Sequence, residues 1–134
     1  MDNCIFCKII SGEFDSHCIY DDELFKVILD KFPASKGHAL ILTKVHYENV
    51  YALGEKEQQA LGAVMTKMSK LLMEKLGCDG LNVLQNNGEV SGQVINHYHM
   101  HLIPRYTDDG IVMKWVAESG SDGMILEVLD KLEL

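Results

Sequence analysis

The chain has 134 residues, 47% of them hydrophobic and 24% charged, with a formal net charge of −8 at pH 7. That length suits one domain, residues 1–134, which can build a core without disulfide staples. The negative balance excludes gripping a nucleic-acid polymer along its phosphates, which calls for clustered Lys and Arg.

No stretch approaches the roughly 20 apolar residues of a membrane helix. The opening Met-Asp-Asn-Cys lacks the basic start and apolar run of a secretory signal, so a cytoplasmic protein is expected. A small anionic ligand stays open, since backbone N–H groups, a metal or histidines can supply its field.

From the N-terminus, Cys4 and Cys7 form a Cys-x-x-Cys. In a cytosolic chain this pair points to metal or redox chemistry rather than a disulfide framework. The spacing suits one half of a zinc site. A thioredoxin-like role would need a strand before the motif, and none is predicted there. Two unliganded thiols packed in the core are the remaining reading. Ile5–Ile10 is short and apolar, one or two helical turns stopped at Ser11-Gly12.

Strands are predicted at Cys18–Tyr20, Leu24–Leu29 and Ala39–Thr43, separated by Asp21-Asp22 and Pro33…Gly37. His46 lies just past the third, where it can meet both the N-terminus and a later histidine row. His17 and His38 read as surface histidines. Leu61, Val64, Met65, Met68, Leu71, Leu72 and Leu76 keep helical spacing between Glu55 and Leu76, and Gly77 supplies the stop. Leu81–Gln85 is the next strand. Asn86–Gln93 is a turn-rich loop whose glycines can bring backbone N–H groups towards an anion.

His97, His99 and His101 alternate with Tyr98, Met100 and Leu102. Alternation at a period of two is that of a β-strand, so the three imidazoles are expected on one face of a strand His97–Ile103 ended by Pro104. On a helix, His97 and His99 would diverge by about 200°. A solvent-facing strand would favour Lys, Glu and Thr, so the row reads as proton carriers, metal ligands or nucleophiles. A last helix is predicted from near Asp122, with Ile125, Val128, Leu129 and Leu132 on one face. Strands grouped around one long helix give an α+β domain with an antiparallel sheet.

His97-Tyr98-His99-Met100-His101-Leu102-Ile103 matches His-φ-His-φ-His-φ-φ, with φ apolar, the signature of the histidine triad (HIT) family. The chain also resembles that family at Cys4–Ile10, Leu29-Asp30, Gly37-His38 through His46, and Asn86…Gly92-Gln93, essentially over residues 3–106. With the Cys pair and His46 it is similar to the zinc-containing bacterial branch.

The resemblance implies a homodimeric HIT-like fold that takes a purine nucleotide and cleaves at its α-phosphorus. By the family pattern His99 is the nucleophile, forming a nucleotidyl-histidine that water hydrolyses. His101, Asn86 and Gln93 hold the phosphate or help the leaving group. Asp30 accepts hydrogen bonds from the ribose hydroxyls, and Ile5, Phe6, Ile9 and Ile28 line the base pocket. Cys4, Cys7, His46 and His97 would fill all four positions of a structural zinc.

Two departures stand out. Val94 replaces the hydroxyl residue that many members carry after the Gln, which bears on phosphate binding and the leaving group. Ile111–Val116 carries Lys114 and Trp115, and Trp115 reads either as a specificity element or as an ordinary core or interface tryptophan. Two other functions compete. A metal-dependent hydrolase would use His97, His99 and His101 as ligands and need an open metal with a nearby Asp or Glu base. A nucleotide-binding scaffold would keep the triad with little turnover.

Overall fold

A computed structural model describes residues 3–133. The expectation about the first residues, Met1 and Asp2, lies outside them. Five strands form one antiparallel sheet in the order β1-β2-β3-β5-β4, with β1 at Cys18–Asp21, β2 at Phe25–Leu29, β3 at Ala39–Thr43, β4 at Gly80–Leu84 and β5 at His99–Arg105. Among the described residues three α-helices accompany it, α1 at Ile5–Ser11, α2 at Glu55–Leu76 and α3 at Asp122–Leu132. The expected α+β architecture is the observed one.

Strand alternation sorts the core into two layers. Phe25, Val27, Ala39, Ile41, Met100 and Leu102 point to one face, where Val64, Met68 and Leu72 of α2 cover them. Ile28, Leu40 and Leu42 point to the other, covered by Phe6 and Ile9 of α1. Burying each large side chain contributes about 1.5–3 kcal/mol, which ties both helices to the sheet. β3 is buried on both faces because it lies at the centre. The glycine stop at α2 holds: Gly77 adopts φ +62° and its N–H returns to the Met73 carbonyl.

Two expectations need correction. β5 starts at His99, so His97 sits in the bend before it. β3 ends at Thr43, opposite the approach to His99, and leaves residue 97 without a ladder partner; the Tyr98 N–H turns to the Tyr47 carbonyl instead. Pro104 does not end β5, which runs to Arg105. The β3 ladder stops at Ala39↔Leu102, so the N–H that proline lacks would face past its end, and the Pro104 carbonyl on that side accepts the Ser35 hydroxyl. α3 starts at Asp122 as expected, and the four residues of its apolar face, Ile125, Val128, Leu129 and Leu132, are all exposed.

The exit from β5 is clamped. Arg105 donates through Nε and Nη2 to both Asp109 carboxylate oxygens at 2.8 and 3.0 Å, through Nη1 to Asn82 Oδ1 at 2.8 Å, and through Nη2 to the Ile111 carbonyl at 2.8 Å. The guanidinium holds the Asp109 carboxyl well below the usual carboxylate range. Beyond this clamp the chain runs over the surface to α3.

Candidate active site

α1, β2 and β5 enclose a cavity of about 900 Å³ on the α1 side of the sheet. Ile5, Phe6 and Ile9 of α1 and Ile28 of β2 form apolar walls, Asp30 stands at the end of β2, and His99 and His101 enter from β5. The register explains the histidines' aim. His99 lies opposite Leu42 and His101 opposite Leu40, both on the α1 face of β3. The predicted common face thus holds for these two, whose ring centroids are 5.0 Å apart.

Hydrogen bonds to groups of fixed polarity set each tautomer. A carbonyl only accepts, so the 2.7 Å contact of His99 Nδ1 with the His97 carbonyl places the proton on Nδ1 and leaves Nε2 with a free lone pair. Likewise His97 Nε2 donates to the Thr43 carbonyl at 2.7 Å, which leaves the His97 Nδ1 lone pair for the cysteines. A backbone N–H only donates. The Ala34 N–H meets His38 Nδ1 at 2.9 Å, so neutral His38 carries its proton on Nε2 and donates it to His101 Nδ1, also 2.9 Å away. His101 is then protonated on Nε2.

Burial keeps these rings neutral. It lowers the pKa of His99 against the opposing hydrogen bond to His97. Burial, with His99 and His38 adding to it, brings His101 down to about 4. His38, expected on the surface, is buried, and its pKa is also lowered by burial. Its position was readable in one respect, because it precedes β3 in phase with Leu40 and Leu42 and so shares their face. His17 is exposed as expected and sits at the cavity rim.

The other predicted residues divide. Asp30 accepts the Phe32 N–H on Oδ1 at 2.8 Å and lies 3.6 Å from His38 Nε2. Gln93 is buried and engaged with backbone: its Oε1 accepts the Gly88 N–H at 2.8 Å, and its Nε2 donates to the Glu48 and Ile95 carbonyls at 2.8 and 3.2 Å. It braces the loop while its neighbours Gly92 and Val94 line the cavity. The Asn86 side chain packs beside Gly92, whose φ of +104° draws the loop inward. Val94 is 90% exposed at the cavity mouth. Trp115 is 86% exposed, outside the core of this chain.

Among the described residues two groups of ligand-type side chains converge, each with its ligand atoms within 4.8 Å of one another: Cys4, Cys7, His46 and His97, and Asp30, His38 and His101. In the first, His97 Nδ1 lies 3.2 Å from Cys4 Sγ, 3.5 Å from Cys7 Sγ and 3.1 Å from His46 Nδ1, and Cys7 Sγ lies 3.3 Å from His46 Nδ1. Tetrahedral zinc with ordinary Zn–S and Zn–N bonds separates its ligand atoms by about 3.3–3.8 Å, so these residues fit the ion. Burial pushes the Cys7 thiol up to about 11, with Cys4 adding to it, a strain that a bound cation would relieve.

The second group does not fit a metal. His38 Nε2 holds a proton because Nδ1 is taken by the Ala34 N–H, so it has no lone pair to give. Neither group contains His97, His99 and His101 together. The triad therefore does not form one three-histidine metal site in this geometry.

A neutral imidazole with a free nitrogen, a second imidazole beside it and a carboxylate border an apolar cavity, an arrangement whose chemistry can serve a nucleophile and a proton donor. A family model for the HIT domain matches residues 11–108. The chain is 45% identical over 112 residues to an uncharacterised HIT-like protein of Methanocaldococcus jannaschii, covering 84% of this chain and 86% of that one. It is 42% identical over 115 residues to the protein hit of Bacillus subtilis (85% and 79%) and 33% identical over 114 residues to the adenosine 5'-monophosphoramidase of Schizosaccharomyces pombe (84% and 83%). The crystal structure of a HIT-family protein from Bacillus subtilis superposes with a TM-score of 0.91 at 36% identity, covering 98% of this chain and 95% of that one. A zinc-bound histidine triad protein from Mycobacterium smegmatis superposes with a TM-score of 0.77 at 29% identity, covering 98% and 96%. The chain belongs to the HIT family.

Proposed function

We propose that this protein is a nucleotidyl hydrolase or transferase acting at the α-phosphorus of purine nucleoside phosphoramidates or dinucleoside polyphosphates, with His99 as nucleophile. The observation that carries this reading is the His99 tautomer. Its Nδ1–H is spent on the His97 carbonyl, so the unprotonated Nε2 belongs to a residue lining the cavity. The apolar walls suit a purine, and Asp30 at their end suits the ribose hydroxyls. The phosphoramidase activity named for the Schizosaccharomyces pombe relative supports the same chemistry.

In this reading Nε2 of His99 attacks phosphorus in line. An N–P bond forms as the bond to the leaving nitrogen or oxygen breaks, and the His97 carbonyl steadies the charge that develops on the ring. His101, held with its proton on Nε2, donates to the phosphate or the departing atom. Water then breaks the N–P bond and frees the nucleoside monophosphate. Cys4, Cys7, His46 and His97 would hold a zinc ion whose four filled positions leave none for water, so its contribution is structural. A homodimer is part of the proposal, supported by the exposed apolar face of α3.

The test is to mix the protein with adenosine phosphoramidate or diadenosine tetraphosphate, quench in alkali and weigh the intact chain. An added nucleotidyl mass, absent in His99→Ala, is expected, with activity falling by about four or more orders of magnitude in that variant. A chelator-sensitive rate without an adduct would favour the metal hydrolase. Binding without either would leave the scaffold.

A further inference from the structure

We propose that Cys4 and Cys7 form a peroxide-sensitive latch on the nucleotide cavity, resting on the zinc reading above. Three features carry it. First, the cluster is not sealed: a second cavity of about 400 Å³ reaches it, lined by Asn3, Cys4, His46 and Asn96 and walled off from the larger cavity by Ile5, Val94 and Ile95, which line both. Cys4 and Cys7 are both only partly buried. A small neutral oxidant can therefore reach Cys4 without entering the nucleotide cavity.

Second, the pair is placed to close. Cys4 is the N-cap of α1, and its sulfur accepts the Cys7 N–H at 3.4 Å. The two sulfurs lie within 4.8 Å of one another, and because Cys4 stands outside the helix with extended backbone, a small backbone shift at this cap together with side-chain rotation brings them to bonding distance.

Third, the pair sits at the head of a short element that only Phe6 and Ile9 bury deeply against the sheet. α1 has 7 residues, far short of the ~12–15 at which an isolated helix is marginal. Phe6, between the two cysteines in sequence, sets its ring edge against His97 at a centroid distance of 5.8 Å and against His99 at 4.9 Å. The same helix supplies Ile5, Phe6 and Ile9 to the cavity wall.

The chemistry balances with hydrogen peroxide as oxidant. The Cys4 thiolate attacks one peroxide oxygen, the O–O bond breaks, and hydroxide leaves with the electron pair, giving a sulfenic acid. The Cys7 thiolate attacks that sulfur and expels a second hydroxide as the disulfide forms. Two protons from solvent complete two waters, and the two sulfurs have lost two electrons. Neither sulfur then carries the charge that holds a cation, so zinc departs and the tie between α1 and His97 is lost.

The experiment treats the zinc-loaded protein with hydrogen peroxide beside a chromogenic chelator, maps the disulfides, and measures adenosine monophosphate binding by calorimetry. Release of one zinc per chain, a Cys4–Cys7 disulfide and binding weaker by about tenfold or more are expected, all reversed by reductant plus zinc. Cys7→His, which keeps a ligand but cannot close, should retain its zinc in peroxide. Absence of zinc from the reduced protein would sink the zinc reading and the latch with it. If zinc is present but peroxide oxidises the exposed Cys18 while sparing Cys4 and Cys7, the latch alone fails. Zinc release with unchanged nucleotide binding would overturn its link to the cavity.

Discussion

His38 shows how a residue outside the triad can govern it. It touches His101 and does not line the cavity, and its fixed proton sets which nitrogen of His101 is protonated. It is a positioning residue. In His38→Ala, His101 is free to turn over its tautomer, and kcat should fall about a hundredfold with little change in KM. His38→Gln, which can donate to the same nitrogen, should recover part of the loss. A purely structural role would lower thermal stability in both variants without this split or rescue.

Acid should act through the same rings. An unfolded histidine takes its proton near 6.5, whereas folded His101 takes it only at about 4. Between those values the unfolded chain binds more protons, so acidification favours unfolding. The contribution of neutral His101 is complete above about 6.5 and is lost as pH falls towards about 4. Melting temperatures recorded from neutral pH downward should fall across this window, and His101→Asn should flatten that slope. Asp109, held well below the usual carboxylate range, adds its loss only in stronger acid.

Among the elements, those set by local side-chain pattern match the sequence expectation. The apolar period of α2, the short apolar runs of β2 and β3 bounded by turn residues, and the glycine stop at residue 77 each reside in neighbouring side chains. The convergence of Cys4, Cys7, His46 and His97 agrees with the set that the family resemblance implies. The start of β5 and its passage through Pro104 depend instead on where β3 ends, which no local pattern states. His38 was misread for a related reason: one histidine at a strand edge looks like surface until its partner is aligned with it. The tautomers could not be read at all, because they rest on carbonyls and N–H groups contributed by distant turns.

Gly37 illustrates the precision needed at that strand edge. Its φ is +92°, and a methyl group there would meet Leu76 and Pro104, immediately before His38. Gly37→Ala combines a left-handed backbone penalty with overpacking, and should cost about 2–4 kcal/mol in urea unfolding. If the loss is below about 0.5 kcal/mol, the turn is not constrained as described.

Over the whole molecule, the apolar surface is unevenly spent. The sheet and its two covering helices bury theirs, while Trp115, Val116, Leu126 and Leu132 beyond the clamp remain exposed. Among the described residues no helix is long and apolar enough to cross a membrane. The homodimer proposal thus predicts twice the chain mass by light scattering. A chain ending at Val112 should still unfold cooperatively, since nothing beyond that point enters the core of a single copy. Loss of cooperative folding would mean that the tail is integral to the domain.

The Arg105–Asp109 clamp gives this layout a seam. Upstream of it, inserting one residue would swing β5 by half a pleat and turn His99 away from its cavity. Downstream, residues can be added, removed or exchanged without moving any atom that sets a histidine proton. The HIT-domain match ends at residue 108, within this same turn. A chain built this way can acquire a new tail by recombination at one point and inherit the reactive half intact.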